Sequence, residues 1–117
     1  SGLSRNNRIS ARQIVTLLDA VVGRGDVGAD AFMSSLALAG ESGTLTDRMK
    51  GTVAESMVRA KTGFIAGTSA LSGVAMTDDE RFFCFSVLVE YPAVAGLNRQ
   101  IGQPMQDRIC EAMVRGP

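Results

Sequence analysis

Histidine and tryptophan are absent from this sequence. Without histidine the chain cannot build a Ser-His-Asp triad, a Cys-His dyad or a histidine-based metal site from its own residues. Tyr91 is the sole tyrosine, and no basic patch is interleaved with aromatics. Twelve basic and twelve acidic residues cancel, which argues against nucleic acid as a partner, because phosphate binding requires a basic face. No stretch approaches the ~20 apolar residues of a membrane-spanning helix, so no transmembrane segment is expected. No signal peptide opens the chain, but it starts abruptly with Ser1-Gly2-Leu3-Ser4, so that absence decides little. There are only two cysteines. Cys84 lies in an apolar stretch, where a small buried thiol is the ordinary reading. A disulfide would need the last helix to lay Cys110 beside that stretch, and is not the expectation.

What is present is 117 residues, 45% of them hydrophobic, the size of one small globular domain or part of one. Ser10-Ala11-Arg12-Gln13 is a capping-box pattern. Ile14, Val15, Leu17, Leu18, Val21 and Val22 follow on one helical face, and Gly23 is a natural stop, so a helix is predicted over 10–22. Arg24 to Gly28 reads as a polar, glycine-rich connection. Asp30 is the candidate cap of a short second helix carrying Phe32, Met33 and Leu36. Residues 38–52 are loop-like, with one helical turn at Leu45 to Met49.

Three strands are predicted next, over Met57 to Ile65, Ser69 to Met76 and Arg81 to Tyr91. Gly67 turns the first into the second. Thr77-Asp78-Asp79-Glu80 makes an antiparallel hairpin of the last two. The continuous apolar run of the third strand predicts burial on both faces. A closing helix has Pro104 in its first turn, Asp107 and Arg115 placed favourably for the dipole, and Met105, Ile109, Ala112 and Met113 as its buried stripe. The order implies an α+β fold (α/β mixed), an antiparallel sheet with packed helices.

The chemistry concentrates in Lys61-Thr62-Gly63, within the apolar run Val58 to Ile65. A cation, a hydroxyl and a residue without a side chain stand in a row on one strand. That arrangement suits an anionic substrate end: the charge attracts it, the hydroxyl hydrogen-bonds it, and the glycine lets it lie close. The bland alternative makes Lys61 a solvated strand lysine, Thr62 a β-former and Gly63 a bulge. Taken alone, the tripeptide is common by chance. Arg59 is expected to meet a carboxylate or solvent. Glu41, Asp47 and Glu55 are scattered and suit surface or cap roles. The six methionines read as core filler. No metal site and no cofactor are expected.

Longer matches flank the tripeptide. Ser1-Gly2-Leu3-Ser4-Arg5-Asn6-Asn7, Leu38-Ala39-Gly40, Gly43-Thr44-Leu45, Arg48-Met49, Arg59-Ala60-Lys61-Thr62-Gly63 and Ala70-Leu71-Ser72-Gly73 run in order over nearly the whole chain. This ordered set resembles the C-terminal part of class C penicillin-binding proteins, the D-alanyl-D-alanine carboxypeptidase/endopeptidases of bacterial cell-wall metabolism. Lys-Thr-Gly is one of three elements of such enzymes, beside Ser-x-x-Lys and Ser-x-Asn.

The resemblance implies that residues 1–117 are the C-terminal part of a serine β-lactamase/transpeptidase-like domain whose nucleophile-bearing part lies upstream. Lys61 would face the catalytic serine and attract the carboxylate of a peptidoglycan peptide or a β-lactam. Thr62 would hydrogen-bond that carboxylate, and Gly63 would keep the strand edge clear. The backbone N–H of Phe64 would serve the oxyanion hole. Thr or Ser is commoner at this position in the family, so Phe64 departs from the pattern; a backbone donor survives, a hydroxyl contact does not. Ser4-Arg5-Asn6 has the letters of Ser-x-Asn, but in the family this stretch is a separate landmark, so Ser4 and Asn6 are read as turn formers. No Ser-x-x-Lys exists here: Ser10 is followed three residues on by Gln13, Ser56 by Arg59. The chain alone is therefore expected to be inactive and to need the upstream fragment as partner. An extracytoplasmic or periplasmic location follows from the resemblance alone. The alternatives are a non-catalytic interaction or folding module with the same scaffold, and a serine β-lactamase relative.

Overall fold

The computed structural model describes residues 6–116. Their order is α1 (Ala11–Val22), α2 (Val27–Ser35), β1 (Ala37–Leu38), a 3-10 turn (Gly43–Leu45), β2 (Val58–Ile65), β3 (Thr68–Met76), β4 (Phe82–Glu90), a π-helical turn (Asn98–Gly102) and α3 (Gln103–Arg115). The strands form one antiparallel sheet in the order β1-β2-β3-β4. The α+β class and all three long strands match the expectation to within one residue at each end.

The capping box at Ser10 forms in both directions: Gln13 N–H donates to Ser10 Oγ at 3.1 Å, and Ser10 N–H to Gln13 Oε1 at 2.8 Å. Gly23 ends α1 while still right-handed (φ −65°), and the left-handed turn comes two residues later, at Gly25 (φ 64°). The second helix corrects the sequence reading. It starts at Val27, within the stretch read as a connection, and its cap is Asp26, whose carboxylate accepts from Ala29 N–H at 2.9 Å. Asp30 lies in its first turn. The helical turn expected at Leu45 to Met49 forms slightly earlier, as the 3-10 turn.

The sheet has a helix on each face. Cross-strand register puts Val58 and Ala60 of β2, Leu71 and Ala75 of β3, and Phe85 of β4 on one face. These side chains pack with Cys110 and Val114 of α3 and with Ala39, Leu45, Met49 and Ala54 of the long connection, forming the core. The opposite face carries Arg59 and Lys61, Ser72 and Val74, and Cys84 and Ser86, and α1 packs there against β4 and β3. The two free cysteines therefore belong to opposite faces. Burial pushes both thiols up to about 12; Asp19 adds to the effect at Cys84 and Asp107 at Cys110. Gly73 permits the closest strand approach: a Cβ there would lie 2.0 Å from the Arg59 carbonyl oxygen.

Two burial expectations fail. β4 is not buried on both faces: Phe85 is its only buried residue, and Phe82 is 60% exposed. It is the outer strand of the sheet, and α1 packs against it. The stripe of α3 is displaced by one position, although Met113 of the expected set does pack half-buried against the core. Gln106, Cys110 and Val114 are buried, whereas Met105 (45%), Ile109 (39%) and Ala112 are exposed. A glutamine replaces an expected methionine in the core because its polar atoms are satisfied there. Gln106 Oε1 accepts from Arg48 at 3.1 Å and its amide donates to Ser69 Oγ at 3.3 Å.

Candidate functional site

Backbone hydrogen bonds fix which residues of β2 face each way. Met76 N–H donates to the Met57 carbonyl at 2.8 Å, and Ala39 N–H to the Val58 carbonyl at 2.9 Å. In an antiparallel strand successive residues direct their backbone groups to opposite sides. Odd-numbered residues of β2 thus bond to β3, and even-numbered ones face β1. But β1 pairs only with Arg59 and Ala60. From Lys61 onward no strand among the described residues lies against this margin, and β2 passes from buried to largely exposed. The N–H and C=O groups of Thr62 and Phe64 therefore face an open sheet edge, the geometry that accepts an added extended peptide.

Lys61, Thr62, Gly63 and Phe64 lie together on that edge. Lys61 and Thr62 send their side chains to opposite faces of the sheet, yet the Lys61 side chain curls around the margin, and its Nζ donates to the Thr62 carbonyl at 2.7 Å. The ammonium thus sits at the edge itself. Thr62 Oγ1 donates to Thr44 Oγ1 at 2.9 Å. Gly63 is exposed, and a Cβ on it would come 3.3 Å from the Ala70 Cβ. Phe64 is 54% exposed, and its side chain helps line a recess of about 280 Å³ with Gly67, Tyr91, Ala93, Val94 and Asn98. Tyr91 Oη and Asn98 Oδ1 are buried without a hydrogen-bond partner among the described residues. Lys61, Thr62 and Gly63 line neither this recess nor the one of about 250 Å³ around Met33, Arg59 and Phe82. Among the described residues these side chains stand along an edge.

The other residues singled out by sequence lie apart from it. Arg59 donates to the Leu36 carbonyl at 3.4 Å rather than to a carboxylate. Glu41 accepts from Ser56 Oγ at 2.5 Å, and Glu55 from Gly51 N–H at 3.4 Å. Ser4 falls outside the described residues. Among the described residues no cluster of three or more His, Cys, Asp or Glu side chains could hold a metal ion, and no helix is long and apolar enough to cross a membrane. Thr44 is the neighbour that sequence reasoning left out of the site. Its signal was present, since Gly43-Thr44-Leu45 is one of the flanking matches, but its meeting with Thr62 is tertiary.

Residues 1–110 match the family model of the D-Ala-D-Ala carboxypeptidase 3 (S13) family. The chain belongs to that family. Among its relatives, the D-alanyl-D-alanine carboxypeptidase of Actinomadura is 48% identical over 82 residues, 62% of this chain and 14% of the relative. The penicillin-sensitive carboxypeptidase A of Dictyostelium discoideum is 37% identical over 94 residues, 76% of this chain and 18% of the relative. The chain thus spans less than a fifth of either protein. The fold is that of penicillin binding protein 4 from Haemophilus influenzae, solved in complex with a β-lactam. That structure superposes with a TM-score of 0.85 at 21% identity, over 97% of this chain and 27% of that one.

Proposed function

We propose that this chain forms one wall of the acyl-transfer site of a serine D-alanyl-D-alanine carboxypeptidase/endopeptidase. Residues 1–117 are the C-terminal part of its transpeptidase-like domain. The upstream part of the same protein brings the nucleophile in Ser-x-x-Lys and the Ser-x-Asn element, and acts outside the cytoplasmic membrane. The observation that carries this reading is the open margin of β2, along which Lys61, Thr62, Gly63 and Phe64 follow one another in a member of the S13 family.

The roles proposed for these residues rest on the resemblance to the family, and the open edge of β2 is compatible with them. A D-alanyl-D-alanine peptide, or a β-lactam, lies along the edge of β2 as an added strand. Lys61 and Thr62 hold its carboxylate, and Gly63 lets its backbone come close. The serine oxygen attacks the scissile carbonyl carbon, and the carbonyl electrons move onto its oxygen. The Phe64 N–H donates to that oxyanion, a contact that contributes ~3–4 kcal/mol where such donors have been removed. The oxyanion collapses, the C–N bond breaks and the D-alanine nitrogen takes up a proton equivalent to the one the serine lost; water then hydrolyses the serine ester, leaving a new carboxyl group and returning a proton to the serine oxygen.

The test is labelling with a fluorescent penicillin. The complete protein should form a covalent adduct on its upstream part, and Lys61→Ala should slow labelling by at least tenfold, the scale of losing a charge-assisted contact. The 117-residue chain alone should stay unlabelled. A complete protein that folds yet never labels would point instead to a non-catalytic module. Rapid penicillin turnover would point to a β-lactamase.

A further inference from the structure

Gln106 is fully buried on the side of α3 that otherwise gives Cys110 and Val114 to the core. A buried amide is costly unless its polar atoms are hydrogen-bonded, and an apolar side chain of similar length would fill the same space. The chemistry of its neighbours fixes which way the amide points. A guanidinium can only donate, so the Gln106 oxygen faces Arg48, at 3.1 Å. The amide nitrogen is left to donate to Ser69 Oγ, at 3.3 Å. Ser69, the second residue of β3, is itself 3% exposed. A buried polar link therefore ties the start of β3 to α3.

That link lies directly behind the open margin. Ser69 stands opposite Phe64, and the next pair is Gly63 opposite Ala70. Odd-numbered residues of β2 bond to β3, so Gly63 and Ala70 face each other through their backbone groups. The Gly63 carbonyl and the Phe64 N–H belong to one planar peptide unit and point in opposite directions. Fixing β3 at Ser69 and Ala70 thus fixes the Gly63 carbonyl, and with it the direction of the Phe64 N–H into the margin. β1 pairs only with Arg59 and Ala60, so among the described residues no strand steadies this part of β2 from its other side. We propose that Gln106 is a positioning residue: through Ser69 it holds the start of β3 in place and so aims the Phe64 N–H at the developing oxyanion. This inference rests on the acyl-transfer reading above and adds to it a residue of α3 that never touches the substrate.

The experiment uses the complete protein and follows acylation by benzylpenicillin over a range of concentrations. The concentration dependence separates the dissociation constant of the non-covalent complex from the first-order acylation rate constant. Gln106→Met should lower the acylation rate constant by about tenfold, less than the ~100-fold or more lost with an oxyanion donor itself. The dissociation constant should not change, because the donor is needed only once the carbonyl becomes an oxyanion. Ser69→Ala removes the other end of the link with a smaller change in volume, and should act in the same way. Because both residues act through one bond, the double variant should cost nothing further. A merely structural role would reduce the amount of protein that is labelled, and leave the rate constant of the folded fraction as in wild type. Unchanged acylation rate constants, a loss confined to the dissociation constant, or additive losses in the double variant would each overturn the proposal. If Gln106→Met does not fold, Ser69→Ala alone decides it by the same two constants. A wild-type protein that is never acylated overturns the underlying reading and this one with it.

Discussion

Arg48 ties the Gly43–Leu45 turn to α3 with a guanidinium only 10% exposed. It faces Asp107, which is 21% exposed, at 2.6 Å. Nε and Nη2 both donate to the same carboxylate oxygen, and Nη2 also reaches Gln106 Oε1 and the Gln103 carbonyl. Removing one partner of such a pair leaves the other charge with little water and no counterion. Arg48→Met should therefore cost about 3 kcal/mol, the low end for a broken buried pair, read as a lower urea midpoint. Arg48→Lys should recover only part of it, because an ammonium cannot reproduce the planar fork. Arg48-Met49 is legible in the sequence as a point of resemblance. Its partner lies 59 positions away, and no local pattern could have named it.

Among the elements, α2 depends on one side chain. Asp26 caps it through Ala29 N–H and pairs with Arg24 at 2.9 Å on the surface. The Ala29 N–H contact first, and Arg24 second, hold this carboxyl below its usual value of 3.8. A folded-state pKa below the unfolded one means that the contribution is present above 3.8 and is lost as pH falls through the lowered value. Asp26→Asn keeps a capping oxygen that does not titrate. The variant should be slightly less stable than wild type at neutral pH, and the gap should shrink as the buffer is taken below pH 3.8, measured as paired thermal midpoints. An unchanged gap would mean that the cap is not ionised in the folded state.

The misreading of α2 has the same origin. Asp26 and Asp30 are both legitimate caps, and nothing local ranks them. α1 was legible because its capping box and its apolar spacing agree. In α3 the apolar spacing pointed to Met105 and Ile109, while Gln106 gained its buried place from Arg48 and Ser69, contacts of long sequence separation. The strand bearing Lys61-Thr62-Gly63 was readable from its own residues. Its open edge was not, because that edge exists only where the two-residue β1 stops.

At the scale of the whole molecule, the chain is compact on its own. Its radius of gyration is 14.0 Å, against the ~13 Å expected for a domain of this length. Yet its fold occupies only 27% of the Haemophilus penicillin binding protein 4 chain on which it superposes. Part of its surface is apolar in a way its own core does not require. Ile101 (48% exposed), Met105 (45%) and Ile109 (39%) recur every four residues along the outer side of α3 and the turn before it, the spacing of one helical face. The proposed enzyme has an upstream part that must close the site opposite Lys61, and this stripe is a surface on which its docking can be tested. Charging the stripe with Met105→Glu and Ile109→Glu should then separate two stabilities. The 117-residue chain should lose only a little of its melting temperature, because both side chains are already partly solvated. The complete protein should melt lower and label more slowly with penicillin, because two carboxylates would have to be buried in its interface. A complete protein indifferent to both substitutions would show that the stripe stays in water, and that the missing wall of the site approaches from another side.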